Sequence, residues 1–319
     1  MGYSDIVATA DALALMPTEQ RMEIIKAIHD KSAGMQLFRK LRNMSTKTTT
    51  LKVTEALAVG AFVNGPSSGV DAPLIETTTA SWDDVIMTAE KYTAIVVIDQ
   101  DTVDDTTVDL FGEVKEQISE DISAKFDAAT FAGTGAPTSW PTGGIVTHAT
   151  GASNSVALGA GADMYDDLMS ENGVWGLVEA DGFRVSGAVG AVTLSARLRG
   201  LRSSDGVPLL NPAPAEGMPD RLNGVPFILP NHGGFPATTA HLIVGDYRNA
   251  VWSLRKDLEI TLQTQGVIQD ASGNITHNLN QQDKVALRFI MRLGFALPNP
   301  VNKLQPTAAS RSPFGILTV

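Results

Sequence analysis

Residues 46–85 carry the pattern that most restricts the fold, because they predict a hairpin too narrow to be stable by itself. Threonine and valine dominate the first arm, and its apolar residues share one parity from Leu51 to Val63, broken by Glu55. Residues 64–73, rich in Gly, Pro and Ser, predict a loop tip, and residues 74–85 predict the returning strand. A two-stranded hairpin is marginally stable in water, so its arms must lie on their own core or on a neighbouring subunit.

A long helix is predicted after the hairpin, over residues 107–132. Apolar side chains recur there at every fourth position, as on the buried face of a helix. Gly133 provides the C-terminal cap, and the polar positions are mainly acidic. The recurring apolar residues are Leu110, Val114, Ile118, Ile122 and Phe126.

The C-terminal third is predicted to consist mostly of strands. Residues 260–269 and 275–282 flank a turn that contains Gly and Asn, which is typical of a hairpin. Residues 285–297 alternate between apolar side chains and a second set that includes Arg288 and Arg292. This period of two predicts a long strand with one buried face.

Shorter elements are predicted in the rest of the chain. Residues 133–161 are rich in Gly, Ser, Thr and Pro, and we interpret them as a connection between two lobes. The other predictions are helices at 4–16, from 17 onward, at 163–179 with a break near Gly173 and Gly176, and at 193–201, a strand within 183–192, and a turn at 203–208.

The composition excludes several classes of function. A chain of 319 residues, 43% of them hydrophobic, can bury a substantial core and is expected to form two lobes. The formal net charge of −11 disfavours tight nucleic-acid binding overall, and the absence of cysteine excludes disulfides and thiolate chemistry. The start of the chain lacks the basic region of a signal peptide, and no apolar run is long enough to span a bilayer, so we expect no membrane partner.

One catalytic pattern is present, at residues 65–69. It matches the G-x-S-x-G nucleophile elbow, with Ser67 as the nucleophile. An elbow needs a helix directly after it, and Pro73 opposes one. A loop tip is therefore the favoured interpretation, and a serine hydrolase is a remote alternative.

The titratable residues predict no metal or cofactor site. None of the five histidines has the spacing of a zinc-binding helix. The acidic cluster at 99–105 lacks the central glycine and distal glutamate of a calcium loop, and the positive end of the following helix explains it better. We therefore expect no catalytic, cofactor-binding or metal-binding residues. The residues considered are His29, His148, His232, His241, His277, Asp99, Asp101, Asp104 and Asp105.

Two segments of opposite charge are expected to meet. The charged residues from Arg21 to Lys52 are mostly basic, and those from Asp99 to Asp127 are mostly acidic. We interpret the first segment as an arm that contacts the second, within or between subunits. A solvated helical face is the simpler alternative.

Several short motifs occur in a characteristic order. Residues 131–135 and 141–145 form a glycine-rich "GxG … GI" pattern, and residues 201–209 form an "L…DG.PL" turn. Residues 222–226 match "L.G.PV", and residues 245–247 match "GDF/Y". Together with the order of arm, long hairpin and long helix, these motifs resemble the tailed-bacteriophage major capsid family over nearly the whole chain.

The resemblance implies an α+β architecture, the Hong-Kong-ninety-seven-type capsid fold. Such a fold has an N-terminal arm, an extended β-hairpin loop, a peripheral domain with a long spine helix, and an axial domain. The implied boundaries are 1–45 for the arm, 46–85 for the extended loop, 86–145 and 245–297 for the peripheral domain, and 146–244 and 298–319 for the axial domain.

The resemblance also implies a function, that of a major capsid protein in the virion. Such a protein assembles in the host bacterial cytoplasm through hexamers and pentamers into an icosahedral shell around double-stranded DNA. The expected partners are other copies of the chain, portal, scaffolding and decoration proteins, and packaged DNA contacted non-specifically at the inner surface. An encapsulin-like cellular compartment, which shares the fold, is the nearest alternative.

One departure from the family concerns covalent cross-linking. Some members join a lysine on the extended loop to an asparagine of another subunit, whereas no lysine lies between Val53 and Glu90 here. We therefore expect non-covalent contacts to hold the subunits together.

Overall fold

A computed structural model describes residues 26–60, 62, 77–105, 110–201, 221–270 and 272–319. The predicted helix at 4–16, the beginning of the second helix, the loop tip with Ser67 and the turn at 203–208 lie outside these residues. The described residues form two large β-sheets, a two-stranded sheet and one long helix, with shorter helices around them.

The elements are numbered in chain order. Residues 26–31 are helical, and the α-helices after them are α1 (Ala33–Leu37), α2 (Gln100–Asp105), α3 (Leu110–Ala132), α4 (Gly144–Gly151), α5 (Met164–Met169), α6 (Val174–Ala180) and α7 (Leu194–Gly200). The strands are β1 (Arg39–Lys40), β2 (Thr48–Ala56), β3 (Ser81–Asp99), β4 (Ser155–Ala157), β5 (Gly187–Gly190), β6 (Arg221–Leu222), β7 (Val225–Ile228), β8 (Ala240–Gly245), β9 (Val251–Gln263), β10 (Val267–Gln269), β11 (Ile275–Asn278), β12 (Lys284–Ala296) and β13 (Phe314–Thr318).

The first sheet has five strands in the order β1-β9-β12-β3-β2. Its central strand β12 pairs antiparallel with β9 on one side and with β3 on the other. The alternation predicted for residues 285–297 is confirmed, because Leu287, Phe289, Met291, Leu293 and Phe295 are all buried in the main core. The hairpin predicted at 260–282 is present with shorter strands, as the antiparallel pair β10 and β11, whereas residues 260–263 are the end of β9.

The long helix α3 covers one face of this sheet. Its predicted apolar spacing is confirmed, since Ile122 and Phe126 are buried and Val114 and Ile118 pack against the same core. The described helix has 23 residues, about 34 Å at 1.5 Å per residue. The short helix α2 before it was not predicted, because four acidic and polar residues in succession resembled a capping segment.

The second sheet has six strands in the order β4-β13-β8-β5-β7-β6. Its two faces pack into different hydrophobic clusters: Leu242 and Val244 face a cluster with α6 and α7, whereas Ile243 belongs to the main core. The main core therefore contains residues of both sheets. It forms one continuous hydrophobic interior between them.

Four other predicted segments differ in the structure. The first arm of the hairpin, predicted to continue to Val63, is a strand only over Thr48–Ala56, and residues 57–60 are outside any strand. Residues 133–161 were interpreted as a connection, but they contain α4 and β4, because Gly-rich composition hides a helix that is buried through Ile145 and Ala149. The returning strand of the hairpin, predicted at 74–85, is β3, which begins at Ser81 and continues to Asp99. The helix predicted at 163–179 is divided into α5 and α6 at Gly173, whereas Gly176 lies inside α6.

Phe38 anchors the arm in the main core. Its ring lies 5.5–6.3 Å, centroid to centroid, from four other aromatic rings that belong to α3, β12 and the turn after β8. Aromatic contacts of this geometry add to the stabilisation from burial. The four partners of Phe38 are Phe126, Phe131, Tyr247 and Phe295.

Asp127 of α3 holds the arm by hydrogen bonds. Its carboxylate is fully buried and accepts the Ser32 hydroxyl at 2.6 Å, the amide N–H of Ala33 at 2.9 Å and that of Gly34 at 3.0 Å. The fourth donor is His232 Nε2, at 2.9 Å from Oδ2. The amide of Gly234 donates to Nδ1 of the same ring, so the ring proton lies on Nε2.

Glycines at the end of α3 allow α4 to pack directly against it. Gly133, Gly143 and Gly144 have φ angles of +68°, +69° and +61°, which favour glycine. A Cβ atom on Gly144 would lie 2.4 Å from the carbonyl oxygen of Thr130. The glycine-rich motif of residues 131–145 is therefore explained by close backbone contact between two helices.

We predict that Gly144→Ala destabilises the unassembled subunit by at least about 3 kcal/mol, through left-handed strain and the clash with Thr130. Gly135→Ala is the matched control, because Gly135 has φ +67° but open space around its Cβ position. The control should cost about 1–2 kcal/mol, the strain alone. Chemical unfolding measures both values, and equal losses would contradict the clash.

We predict that Asp127→Asn destabilises the subunit by about 3 kcal/mol and exposes the arm, because an amide in either orientation replaces one oxygen that accepts two of the four bonds. Hydrogen exchange at residues 32–38 should accelerate with the loss of stability. Glu120→Gln on the exposed side of the same helix is the control, and it should change stability by less than about 0.5 kcal/mol. Protection of the arm amides in Asp127→Asn would contradict this role.

Candidate assembly surface

The residues considered for chemistry are dispersed in the structure. His148 Nδ1 contacts the Ser312 hydroxyl at 3.0 Å, His232 binds Asp127, and His277 lies 3.5 Å from Lys284. Burial is the main cause that lowers the pKa of His148 and of His241 below the ordinary value of histidine. The nearby charge of Arg311 also lowers the pKa of His148, and the charge of Arg197 also lowers that of His241. Asp99 pairs with Lys284 at 3.7 Å.

No metal-binding group is found in the described part of the chain, where no three His, Asp or Glu side chains come together. Ser67 lies outside the described residues. The candidate functional site is a surface whose main feature is the hairpin of β2 and β3, with exposed apolar side chains.

The hairpin is extended and has large apolar side chains in solvent. Register pairs run from Thr48 opposite Thr88 to Ala56 opposite Ser81. Trp82 is 64% exposed, Ile86 is 59% exposed and Phe62 is fully exposed. Exposed apolar groups concentrated on one element are typical of an interaction surface.

The base of the hairpin, in contrast, is firmly attached. Met87 and Ala89 of β3 are buried in a small cluster on the sheet face opposite α3. Met44 of the arm closes this cluster, and Leu51 and Val85 pack at its edge. The hairpin is thus fixed at its base and exposed toward its end.

The arm reaches this cluster along the edge of the sheet. Strand β1 pairs in parallel with β9, and the amide of Met44 donates to the carbonyl of Leu254 at 2.8 Å. The expected contact between the basic arm and the acidic helix is confirmed for Lys31, which lies 3.5 Å from Glu116 and 3.4 Å from Glu120.

Other basic residues of the arm have different partners. Lys40 lies 5.2 Å above the centre of the Trp252 ring, and Lys52 pairs with Asp84 of the hairpin. Asp127, the last acidic residue of the segment, binds the arm through a hydroxyl and backbone amides and through no basic arm side chain. Opposite charge therefore explains only part of the docking of the arm.

The outer side of α3 remains acidic and exposed. Glu113, Glu116 and Glu120 face solvent. On the side toward the sheet, Tyr92 donates a hydrogen bond of 2.5 Å to Asp121. Burial is the main cause that raises the pKa of Tyr92 far above the ordinary value of tyrosine, and this hydrogen bond is the second cause.

The family-like motifs of the second half form turns. Asp246 accepts the Arg248 amide at 3.3 Å and begins a short 3-10 helix, and the buried Tyr247 donates its hydroxyl to the carbonyl of Ile243 at 2.9 Å. Asn223 and Gly224 have φ angles of +51° and +79° in the turn between β6 and β7. These motifs therefore encode backbone geometry at the second sheet.

No helix among the described residues combines the length and apolar character needed to cross a membrane. Comparison with curated proteins finds no match. Solved structures of phages do match. The chain is 30% identical to a chain of Microbacterium phage Oxtober96, covering 98% of this chain and 99% of that one, with a TM-score of 0.77.

Two further structures resemble the chain in fold. A chain of Mycobacterium phage Adephagia is 24% identical over 99% of this chain and 98% of its own length, with a TM-score of 0.77. A chain from the capsid of an empty GTA particle is 21% identical over 90% and 89%, with a TM-score of 0.59.

The family model described as the phage capsid family matches residues 13–304. This range includes the arm from residue 13, the hairpin, α3, the first sheet and every strand of the second sheet except β13. The α+β fold expected from the sequence is confirmed. We conclude that the chain belongs to the phage capsid family and serves as a major capsid protein.

Proposed function

We propose that the chain assembles through hexamers and pentamers into an icosahedral shell that encloses double-stranded phage DNA. The observation that carries this proposal is the hairpin of β2 and β3, which is rooted in the core and exposes Trp82 and Ile86. A large apolar side chain in water gains free energy when a neighbouring subunit covers it.

In this proposal the regions of the chain have separate tasks. Residues 86–145 and 245–297 form the peripheral domain, and residues 146–244 and 298–319 form the axial domain at the centre of each capsomer. Residues 1–45 act as an arm and residues 46–85 as the extended loop that lies on a neighbour. The shared core of the two sheets supports a subunit that moves as one body during assembly.

The expected partners follow from the same proposal. Assembly takes place in the host bacterial cytoplasm, with portal, scaffolding and decoration proteins, and packaged DNA is contacted non-specifically at the inner surface. Cohesion between subunits is non-covalent, because the lysine used for cross-linking in some members has no counterpart between Val53 and Glu90. The similarity to phage chains favours this function over an encapsulin-like compartment.

We predict that Trp82→Glu lowers the yield of closed shells at least about tenfold, because it places a charge in a surface that must be desolvated between subunits. Negative-stain electron microscopy and light scattering of the purified protein measure the yield. The stability of the unassembled subunit should change by less than about 0.5 kcal/mol, since Trp82 is 64% exposed.

Tyr165→Glu is the matched control, because Tyr165 is 42% exposed and lies on α5, which packs in the hydrophobic cluster of the second sheet. It should leave the yield of shells close to that of the wild type. A wild-type protein that stays monomeric under all assembly conditions would contradict the proposed function itself. Normal shells from Trp82→Glu would contradict only the role of the hairpin.

A further inference from the structure

Three cationic side chains lie side by side across the first sheet. Lys91 of β3 is directly opposite Arg292 of β12, and Arg292 is directly opposite Lys256 of β9. The face of the sheet that they share is the one opposite α3, because Leu293 and Met291 on either side of Arg292 point into the main core. We call these three residues the cationic row.

The cationic row is unfavourable in an isolated subunit. Like charges directly opposite each other on neighbouring strands destabilise a sheet. Lys256 is compensated by Glu259 at 2.5 Å, but Lys91 and Arg292 form no ion pair with a described residue. The Nε atoms of Arg292 and of Arg288, four residues earlier on the same face of β12, are buried and have no hydrogen-bond acceptor.

The surroundings of the row resemble a protein interface. Ile95 is 46% exposed opposite Arg288, and Ile290 lies between the two arginines on the same face of β12. Arginine interleaved with apolar side chains is typical of the contact surfaces between proteins. A surface for the DNA backbone would need a wider field of positive charge, whereas this chain has a net charge of −11.

The hairpin carries a complementary surface. Asp83 is exposed and forms no ion pair with a described residue, whereas Trp82 and Asp84 project from the other face of β3. Asp84 and Glu55 are exposed too, but Asp84 pairs with Lys52 and Glu55 accepts the Ser81 hydroxyl at 3.0 Å. This end of the hairpin thus presents, in Asp83, a carboxylate without an ion pair among the described residues, and the cationic row presents, in Lys91 and Arg292, two such cations.

We infer that the cationic row receives the acidic end of the hairpin, at Asp83, of a second copy of the chain. The inference rests on the proposed function and specifies which surfaces meet within it. The contact must be between copies, because Asp83 and Lys91 are eight residues apart on one strand, about 26 Å at 3.3 Å per residue. This separation exceeds the Debye length of about 8 Å at physiological salt.

A charge-reversal experiment with full-length protein tests the inference. Lys91→Glu alone and Asp83→Lys alone should each lower the yield of closed shells at least about tenfold at physiological salt, because each puts like charges together at every copy of the contact. The double variant Lys91→Glu/Asp83→Lys restores opposite charges between copies. Its yield should return to within about threefold of the wild type.

Arg184→Glu is the matched control for the change of charge, because Arg184 is exposed and lies between Phe183 and Val185, which pack in the hydrophobic cluster of the second sheet. It should not lower the yield. Wild-type protein is assayed first, since failure of the wild type to form shells contradicts the proposed function, whereas failure of the rescue contradicts only the inference.

Three other outcomes would overturn the inference. Rescue of Lys91→Glu by Glu113→Lys, instead of Asp83→Lys, would assign the row to the acidic helix of the neighbour. Binding of a short duplex DNA by wild-type subunits that is lost in Lys91→Glu would assign it to packaged DNA. A lower stability of the unassembled Lys91→Glu subunit, with Arg184→Glu unchanged, would show that the row is compensated within one chain.

Discussion

The buried carboxylate of Asp127 is the interaction on which the arrangement of the subunit depends. A charge without contact to water is costly unless several donors surround it. The donors here come from the arm, at residues 32–34, and from His232, which is 105 positions away in sequence. If either segment separates from Asp127, the buried carboxylate loses donors and its burial becomes costly. The arm, the long helix and the segment before β8 therefore form one unit.

This fastening determines where the hairpin is held. After the contact of residues 32–34 with Asp127, the arm continues to Phe38, in the aromatic centre of the core, and then to Met44, which covers the base of the hairpin. Stability is therefore concentrated at the base, and the exposed side chains are concentrated toward the end. A capsid subunit requires this division, because its fold must persist before a neighbour is present while its contact surface stays available.

The sequence predicted the elements whose pattern is local. The alternation at 285–297 and the spacing of Leu110 to Phe126 each identify a buried face without knowledge of the partner. The helix α4 was not predicted, because Gly143 and Gly144 make this segment resemble a loop in composition. In the structure these glycines allow a close contact between helices. The pairing of Asp127 with His232 and the alignment of Lys256 with Arg292 across a β-bulge depend on tertiary register, which one sequence does not contain.

The charges of the subunit connect the stability of the free subunit with the way in which copies assemble. Copies of a chain with net charge −11 repel each other at long range, so the net charges of the subunits cannot orient them relative to one another. A local row of cations provides attraction at one place, and the part of its cost that Glu259 does not offset is removed when carboxylates of a second copy cover Lys91 and Arg292. The same residues therefore weaken the free subunit and favour one orientation of its neighbour. Because this orientation depends on exposed charges, it responds to ionic strength, whereas the buried contacts of Asp127 do not.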